Sequence, residues 1–339
     1  MAEIDFTSNL TLSEIVNRED PKGGLADLVD VMSVNSSIVK TGTWEECNRG
    51  TYHEDTLVAS RPSGSLRGYD MGVDKEASST EKDMQPTCML DGLSQIDSAK
   101  LQHSAGGGGP LRVQEDDLFM AGMAENVTTQ ILEGDRAGNY GLAIDGIVNR
   151  SDYNALALPN VYDNAGGDAS ATANKTFMLI MQWGAKKCNL IYPRNDPHGG
   201  GTQYGIKLRD FGEDIVTDAA GKSYPAWRTW FEAHFGLFIY DARCVKLIVN
   251  ISTTNIDGID DFSFNEDYLI DAYVDLRYPV ERTYIYCNAA VEAQMWKRVK
   301  DKSNVNFSEG TAFGSRVAMF NGIPIMREEK IGSTYATWV

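Results

Sequence analysis

The first 84 residues carry too few large apolar side chains to bury a core of their own, so any order there must come from lying against other surface. Residues 1–42 read as an arm of two short helices. Thr11-Leu-Ser-Glu14 is a capping box ahead of Leu12, Ile15 and Val16, and Pro21 stops that helix. After Gly23-Gly24, Leu25, Leu28, Val29 and Met32 recur on one helical face. Residues 43–84 alternate weakly and are rich in turn formers (Asn48-Arg-Gly50, Arg61-Pro-Ser-Gly64, Arg67-Gly68), with few large apolar residues, Trp44, Leu57, Val58 and Leu66 among them. A long polar β-hairpin standing away from the body fits this pattern, with a mobile surface loop as the alternative. Arms and hairpins that cannot fold alone point to elements exchanged between subunits.

The rest of the chain mixes strands and helices. Cys88–Asp97 alternates like a strand, and the glycine run 106–109 leads into the strongest helix. That helix is expected over 115–133, with Phe119, Met123, Val127 and Ile131 on one stripe and Gly134 at its end. Acidic residues of Gln114-Glu-Asp-Asp117 would then complement its dipole. Thr176–Trp183, Asn189–Tyr192, Phe235–Tyr240 and Val245–Ile251 read as buried strands. Ser263-Phe-Asn-Glu266 reads as a second capping box opening a helix, Arg282–Cys287 as a short strand, and Asn288 as the cap of a last helix. The periodicities together give an α+β fold.

Charge excludes several partners. The chain has 31 Lys+Arg and 48 Asp+Glu, a net charge of −17, so it repels nucleic-acid phosphates and anionic lipid. Its apolar stretches are too short, or broken by Asp241, Arg243 and Lys246, to span a membrane, and no secretion signal is expected in MAEIDFTSNL. Cys47, Cys88, Cys188, Cys244 and Cys287 are scattered, which argues for buried free thiols in a reducing cytoplasm and against a zinc site.

No reactive centre is visible. His53, His103, His198 and His234 have no ligand spacing, and no GxSxG elbow occurs. Gly221-Lys-Ser223 resembles the tail of a phosphate-binding loop, but Val216 stands where the motif needs glycine. Asn255, Asp257 and Glu266 fit three positions of a calcium loop, but Asp260 replaces its turn glycine. The aromatics between Tyr224 and Tyr240 have the mixed spacing of core packing. No catalytic residue, cofactor or metal is therefore expected, and the pattern favours self-assembly over catalysis.

The segments in order carry a resemblance. LTLSEIVNREDPKGGLADLVDVM, the hairpin, the helix ending in Gly134-Asp-Arg-Ala-Gly138, NEDYLIDAYVDL at 265–276, TYIYCNAAVEAQMWKRVKD at 283–301 and TAFGSRVAMFNGIPIMREEKI at 311–331 are similar to tailed-phage major capsid proteins of the Hong Kong 97 fold, in particular the short-tailed epsilon 15 and Bordetella-phage type. The resemblance implies an N-terminal arm (1–42), an extended E-loop hairpin (43–84), a peripheral (P) domain with its spine helix (85–142), further P-domain strands (143–262) and an axial (A) domain (263–339). Strand-like material before the A-domain helix implies a permuted strand order.

The resemblance further implies hexamers and pentamers of an icosahedral head around double-stranded DNA, bound without specificity. It implies a portal, a separate scaffold and room for a decoration protein, with assembly in the host cytoplasm and residence in the virion capsid. Lys75 is placed for a covalent crosslink by location alone, and a non-covalent shell is expected. Leu12, Leu28, Trp44, Arg61, Arg67, Lys75, Glu115, Asp116 and Asp117 are the expected subunit-interface residues, with hairpin cations meeting a neighbour's helix acids. The alternatives are an encapsulin-like shell, an acidic cytosolic hydrolase or a sugar-binding module.

Overall fold

The computed structural model describes residues 36–103, 108–165, 174–194, 206–218, 220–254, 262–277, 281–301, 307–312 and 315–335. The two arm helices with Leu12 and Leu28, His198, and Asn255, Asp257 and Asp260 lie outside these residues. A short helix α1 (Ser37–Thr41) precedes strands β1 (Trp44–Glu46), β2 (Tyr52–Ser60), β3 (Ser79–Pro86) and β4 (Cys88–Asp97). Helices α2 (Ser98–His103) and α3 (Gly108–Glu133) follow, then β5 (Val161–Asp163), β6 (Lys175–Gln182), β7 (Cys188–Tyr192), β8 (Ile206–Thr217), β9 (Ser223–Ile239) and β10 (Val245–Ser252). The chain continues through α4 (Glu266–Val274), β11 (Thr283–Cys287), α5 (Ala289–Asp301), β12 (Phe307–Ala312), β13 (Ser315–Phe320) and β14 (Ile323–Arg327).

Two sheets make the body. A seven-stranded sheet has the order β12-β13-β14-β11-β6-β10-β5. Its central strands β6 and β10 are buried at every position because both faces are covered. Phe177, Leu179 and Met181 of β6 point to one core with Val245, Leu247 and Val249, while Met178 and Ile180 point to another with Ile248. The second core is closed by Leu269 and Ala272 of α4 and by Val291 and Met295 of α5. This sheet draws β5, β6 and β10 from 143–262 and β11 to β14 from 263–339, so segments distinct in the sequence share one layer.

The first core lies between that sheet and a five-stranded one, in which β1, β7, β9 and β4 run in order and β8 also pairs with β9. The 17-residue β9 is its spine. Of the aromatics over Tyr224–Tyr240, Phe231, Phe235 and Phe238 are fully buried, Phe231 stacking on Phe119 of α3 at 5.1 Å between centroids, while Tyr224, Trp227, Trp230 and Tyr240 are half-buried. A single strand therefore covers what the pattern gives only from Phe235 onward. Strand β8 was not expected at all. Its charges and the left-handed Gly212, where the register shifts, hide the alternation.

Two helix starts differ from expectation. Helix α3 begins at Gly108, not Glu115, although glycine and proline are poor formers. Pro110 is tolerated in the first turn, and Leu111 is buried against Ile96 and Leu101, which holds that turn by packing. The acidic residues consequently sit beyond the first turn, where the dipole acts weakly. Helix α4 is capped by Asn265, whose side chain accepts from Asp267 N, not by Ser263. Asn288 does cap α5, accepting from Val291 N at 3.0 Å.

Candidate assembly surface

Strands β2 and β3 form a separate two-stranded antiparallel sheet, paired from Tyr52↔Pro86 to Ser60↔Ser79. The hairpin is polar along its length. Glu54 pairs with Lys82 and Arg49, and the Lys82 hydrogen bond holds its carboxyl below the usual value. Beyond Ser60 the loop 61–78 is exposed at every residue. Leu66 and Tyr69 are as exposed as in an extended chain, at 106% and 101%, and Met71 and Val73 are exposed beside them. Arg61, Arg67 and Lys75 lie on the same loop.

The hairpin's root is well anchored. His53 is buried against Phe238 and Tyr240. The Tyr240 hydroxyl donates to Glu45 at 2.9 Å and shares a second hydrogen bond with His53 Nε2 at 2.9 Å. Burial, then the Glu45 carboxylate, push the Tyr240 phenol up, so it stays a neutral donor. Thr87 N donates to Thr51 O at 2.9 Å and closes the base. The hairpin is thus anchored at its root and exposed at its tip.

Helix α1 is tied to the far end of the chain. Ser37 N donates to Glu328 Oε2 at 2.8 Å and Ile38 N to the same oxygen at 3.3 Å, while the Ser37 hydroxyl donates to Arg327 O at 2.7 Å. Thr41 hydrogen-bonds to the buried Tyr286 hydroxyl, which also accepts from Trp183 Nε1 at 2.8 Å. Glu328 is wholly buried, a role invisible in the charge run Arg327-Glu-Glu-Lys330. A second hidden charge is Lys246, 1% exposed in β10. It donates to Asn160 Oδ1 at 3.0 Å and pairs with Asp275 Oδ2 at 2.8 Å, tying the end of α4 to the sheet.

The expected interface residues part company. Trp44 is half-buried and packs on the first core of its own chain. Asp116 is half-buried too, and burial raises its carboxyl while Arg112 and the Thr229 hydroxyl lower it, so it faces its own sheet. Arg112 is itself engaged with Thr229 at 3.0 Å and lies over the Trp227 ring. Glu115 is half-buried and Asp117 exposed, which leaves Asp117 as the acid of this trio best presented outward. Among the described residues no group of three or more His, Cys, Asp or Glu could hold a metal ion. No helix there is long and apolar enough to cross a membrane. All five cysteines are free and buried.

The family model of the major capsid protein GP7 matches residues 20–338. This chain belongs to that family. The capsid protein is similar to that of bacteriophage epsilon 15, with 25% identity, a TM-score of 0.75 and coverage of 100% of this chain and 99% of that one. The bacteriophage JBD30 capsid matches at 11% identity and TM-score 0.49 over 95% of this chain and 99% of that one. A Synechococcus elongatus encapsulin matches at 11% identity and TM-score 0.39 over 63% and 87%. Among curated proteins none matches the sequence.

The fold is thus the mixed α+β capsid fold of the Hong Kong 97 type, and the molecule is the coat protein of an icosahedral phage head. The encapsulin, hydrolase and sugar-binding alternatives are not favoured.

Glu328 gives this capsid protein a titratable joint. Burial raises its carboxyl from the ordinary 4.5 to about 7, against the lowering effect of its backbone donors. Because the folded value is the higher one, the stability from this group is whole below about 4.5 and is lost as pH climbs through about 7. Wild-type subunit is expected to lose on the order of 2–3 kcal/mol between pH 5 and 8 relative to Glu328→Gln, whose neutral amide can accept the same amides at any pH. Paired melts across that range check this, and a difference that does not change with pH refutes it.

Proposed function

We propose that the subunit closes the head as hexamers and pentamers in which the hairpin of each copy lies over the long helix of the next. The arm of residues 1–42 would pass beneath. The bare apolar tip carries this reading: Leu66 and Tyr69 are fully exposed on their own chain, and Met71 and Val73 are at least half exposed beside them. Each contact is modest, but closure of a ring engages many at once, so effective concentration strengthens the whole.

On this reading 43–84 is the E-loop and 85–142 the P domain with α3 as spine. Strands β7 to β9 of 143–262 add to the P domain, while β5, β6 and β10 join the sheet of 263–339, the A domain. Strands β7 and β9 precede α4 in the chain and build the sheet that packs on α3, which supports the permuted order. A separate scaffold, a portal and assembly in the host cytoplasm follow from the capsid role, with a decoration protein as a further partner. The charge of −17 suits a wall that encloses double-stranded DNA without gripping it. The family is structural, and no catalytic step is proposed.

Negative-stain imaging and sedimentation of the expressed chain test the reading, since a compact monomer at all concentrations would refute it. A finer test is Arg67→Glu. If Arg67 meets a neighbour's Asp117, reversal should lower particle yield and flatten its salt dependence, and Asp117→Arg should restore both. An exposed pair is worth only about 0.2–1 kcal/mol, but it recurs in every subunit. Unchanged yield and salt dependence in the single variant would remove the pairing.

A further inference from the structure

One corner of this acidic chain is basic. The turn Gly184-Ala-Lys-Lys187 joins β6 to β7, closed by Lys187 N donating to Gly184 O at 3.0 Å. Beside it runs Glu281-Arg282 at the start of β11. Trp183 N donates to Arg282 O at 3.0 Å, and Lys187 Nζ donates to Glu281 O at 3.4 Å. Adjacent is Asp241, held by Arg243 in a two-pronged contact at 2.9 and 3.0 Å and approached by Arg277 at 3.6 Å. Tyr240 N donates to Lys187 O at 2.8 Å, which sets Asp241 and its arginines beside the Lys186-Lys187 turn.

Lys186, Lys187, Arg243, Arg277 and Arg282 thus lie on neighbouring turns, Arg243 and Arg277 paired with Asp241, in a chain whose net charge is −17. Two of the cations also sit on uncommon backbone. Lys186 has φ 60° and Arg282 φ 52°, left-handed conformations that glycine or asparagine adopt with less strain. Both side chains are exposed.

We propose that this corner, Lys186 and Arg282 at its tip, is an electrostatic contact that receives a carboxylate-rich surface of a second copy of the chain. The inference rests on the capsid reading. A neighbouring copy brings 48 acidic residues against 31 basic ones, so its surface is the anion the corner meets at high effective concentration. Nucleic acid is the weaker candidate, because the field of the whole chain repels phosphate around so small a basic island.

The test uses full-length chain in two double variants. Lys186→Gly with Arg282→Gly removes the charge and relieves the left-handed backbone, so the subunit should melt no lower than wild type. Lys186→Glu with Arg282→Glu reverses the charge. Particle yield by sedimentation at low salt should drop at least about tenfold for the reversal and less for the glycine pair, and the salt dependence of wild type should flatten in both. Yields and salt dependence equal to wild type in both variants overturn the contact. So does unchanged assembly with lowered retention of DNA, which would assign the corner to nucleic acid. Wild type that forms no particles overturns the proposed closure of the rings and this contact together, whereas wild-type particles matched by the variants overturn the contact alone.

Discussion

Replacing residues 61–78 by an Asn-Gly turn is expected to abolish shell formation while leaving the subunit's melting temperature where it is. Ser60↔Ser79 is the last pair of the hairpin, so a two-residue turn can close it without touching the register from Tyr52↔Pro86 outward. Every residue removed is exposed, and no core cluster loses a member. What vanishes is the apolar tip and three of its cations. Contacts repeated around closed rings multiply, and the expected fall in particle yield is at least about a hundredfold. Sedimentation and negative-stain imaging read the yield, and calorimetry reads the subunit. Particles of normal yield from the shortened chain would show that the hairpin tip is not what joins the copies.

Gly146→Ala should have the opposite signature, a subunit that is itself badly destabilised. Gly146 N donates to Gly134 O at 2.8 Å where α3 ends, so two backbones touch. A Cβ on Gly146 would stand 2.7 Å from Glu133 N, 2.8 Å from Leu132 C and closer still to Gly134 N, all main-chain atoms that cannot rotate away. The torsions of Gly146 (φ −67°, ψ 163°) are open to any residue, so the penalty is contact and not backbone strain. Relief requires the end of α3 to move off a core that includes the fully buried Val127, Ile131 and Leu132. A loss of about 3 kcal/mol or more is expected. Gly109→Ala is the control, because nothing lies within 4 Å of its Cβ and alanine favours the helix by about 1 kcal/mol. Equal melts for the two variants would refute the close-packing account.

Much of the body was legible because its signals are local. Strands β4, β6, β10 and β11 follow from alternation or short β-branched runs, and the stripe Met123, Val127 and Ile131 faces the core as its spacing requires. The hairpin is legible as well, since a polar strand pair with a turn-rich tip has few other forms. Capping was half legible: Asn288 caps as expected, whereas Asn265 displaced Ser263 because the extended residue next to the first turn offers its oxygen to the nearest free amide. The first turn of α3 was illegible from propensity, since Gly-Gly-Pro is helical only under the buried Leu111.

The expected interface residues were legible as charges but not as directions. Asp116 and Asp117 are neighbours in sequence, yet the first turns toward Thr229 on β9 and the second toward solvent, a choice made by helix rotation against the sheet. Glu328 and Lys246 gave no sign of burial, because their partners are amides of Ser37 and Ile38 in one case and Asn160 and Asp275 in the other, all distant in the chain.

By itself, then, the amino-acid order determined composition-level facts and short-range form: an acidic mixed α+β chain, its helical stripes and strand runs, and a projecting hairpin too polar to stand unaided. These depend on residues within a few positions of each other, where periodicity and turn chemistry act directly. The tertiary structure alone decided the order of strands in the two sheets, the merging of 143–262 with 263–339 in one layer, and which charges lie inside. It also gathered Lys186, Lys187, Arg243, Arg277 and Arg282 at one corner. Those outcomes are set by contacts between residues far apart in sequence, whose selection depends on how whole faces fit, and no local pattern encodes that choice.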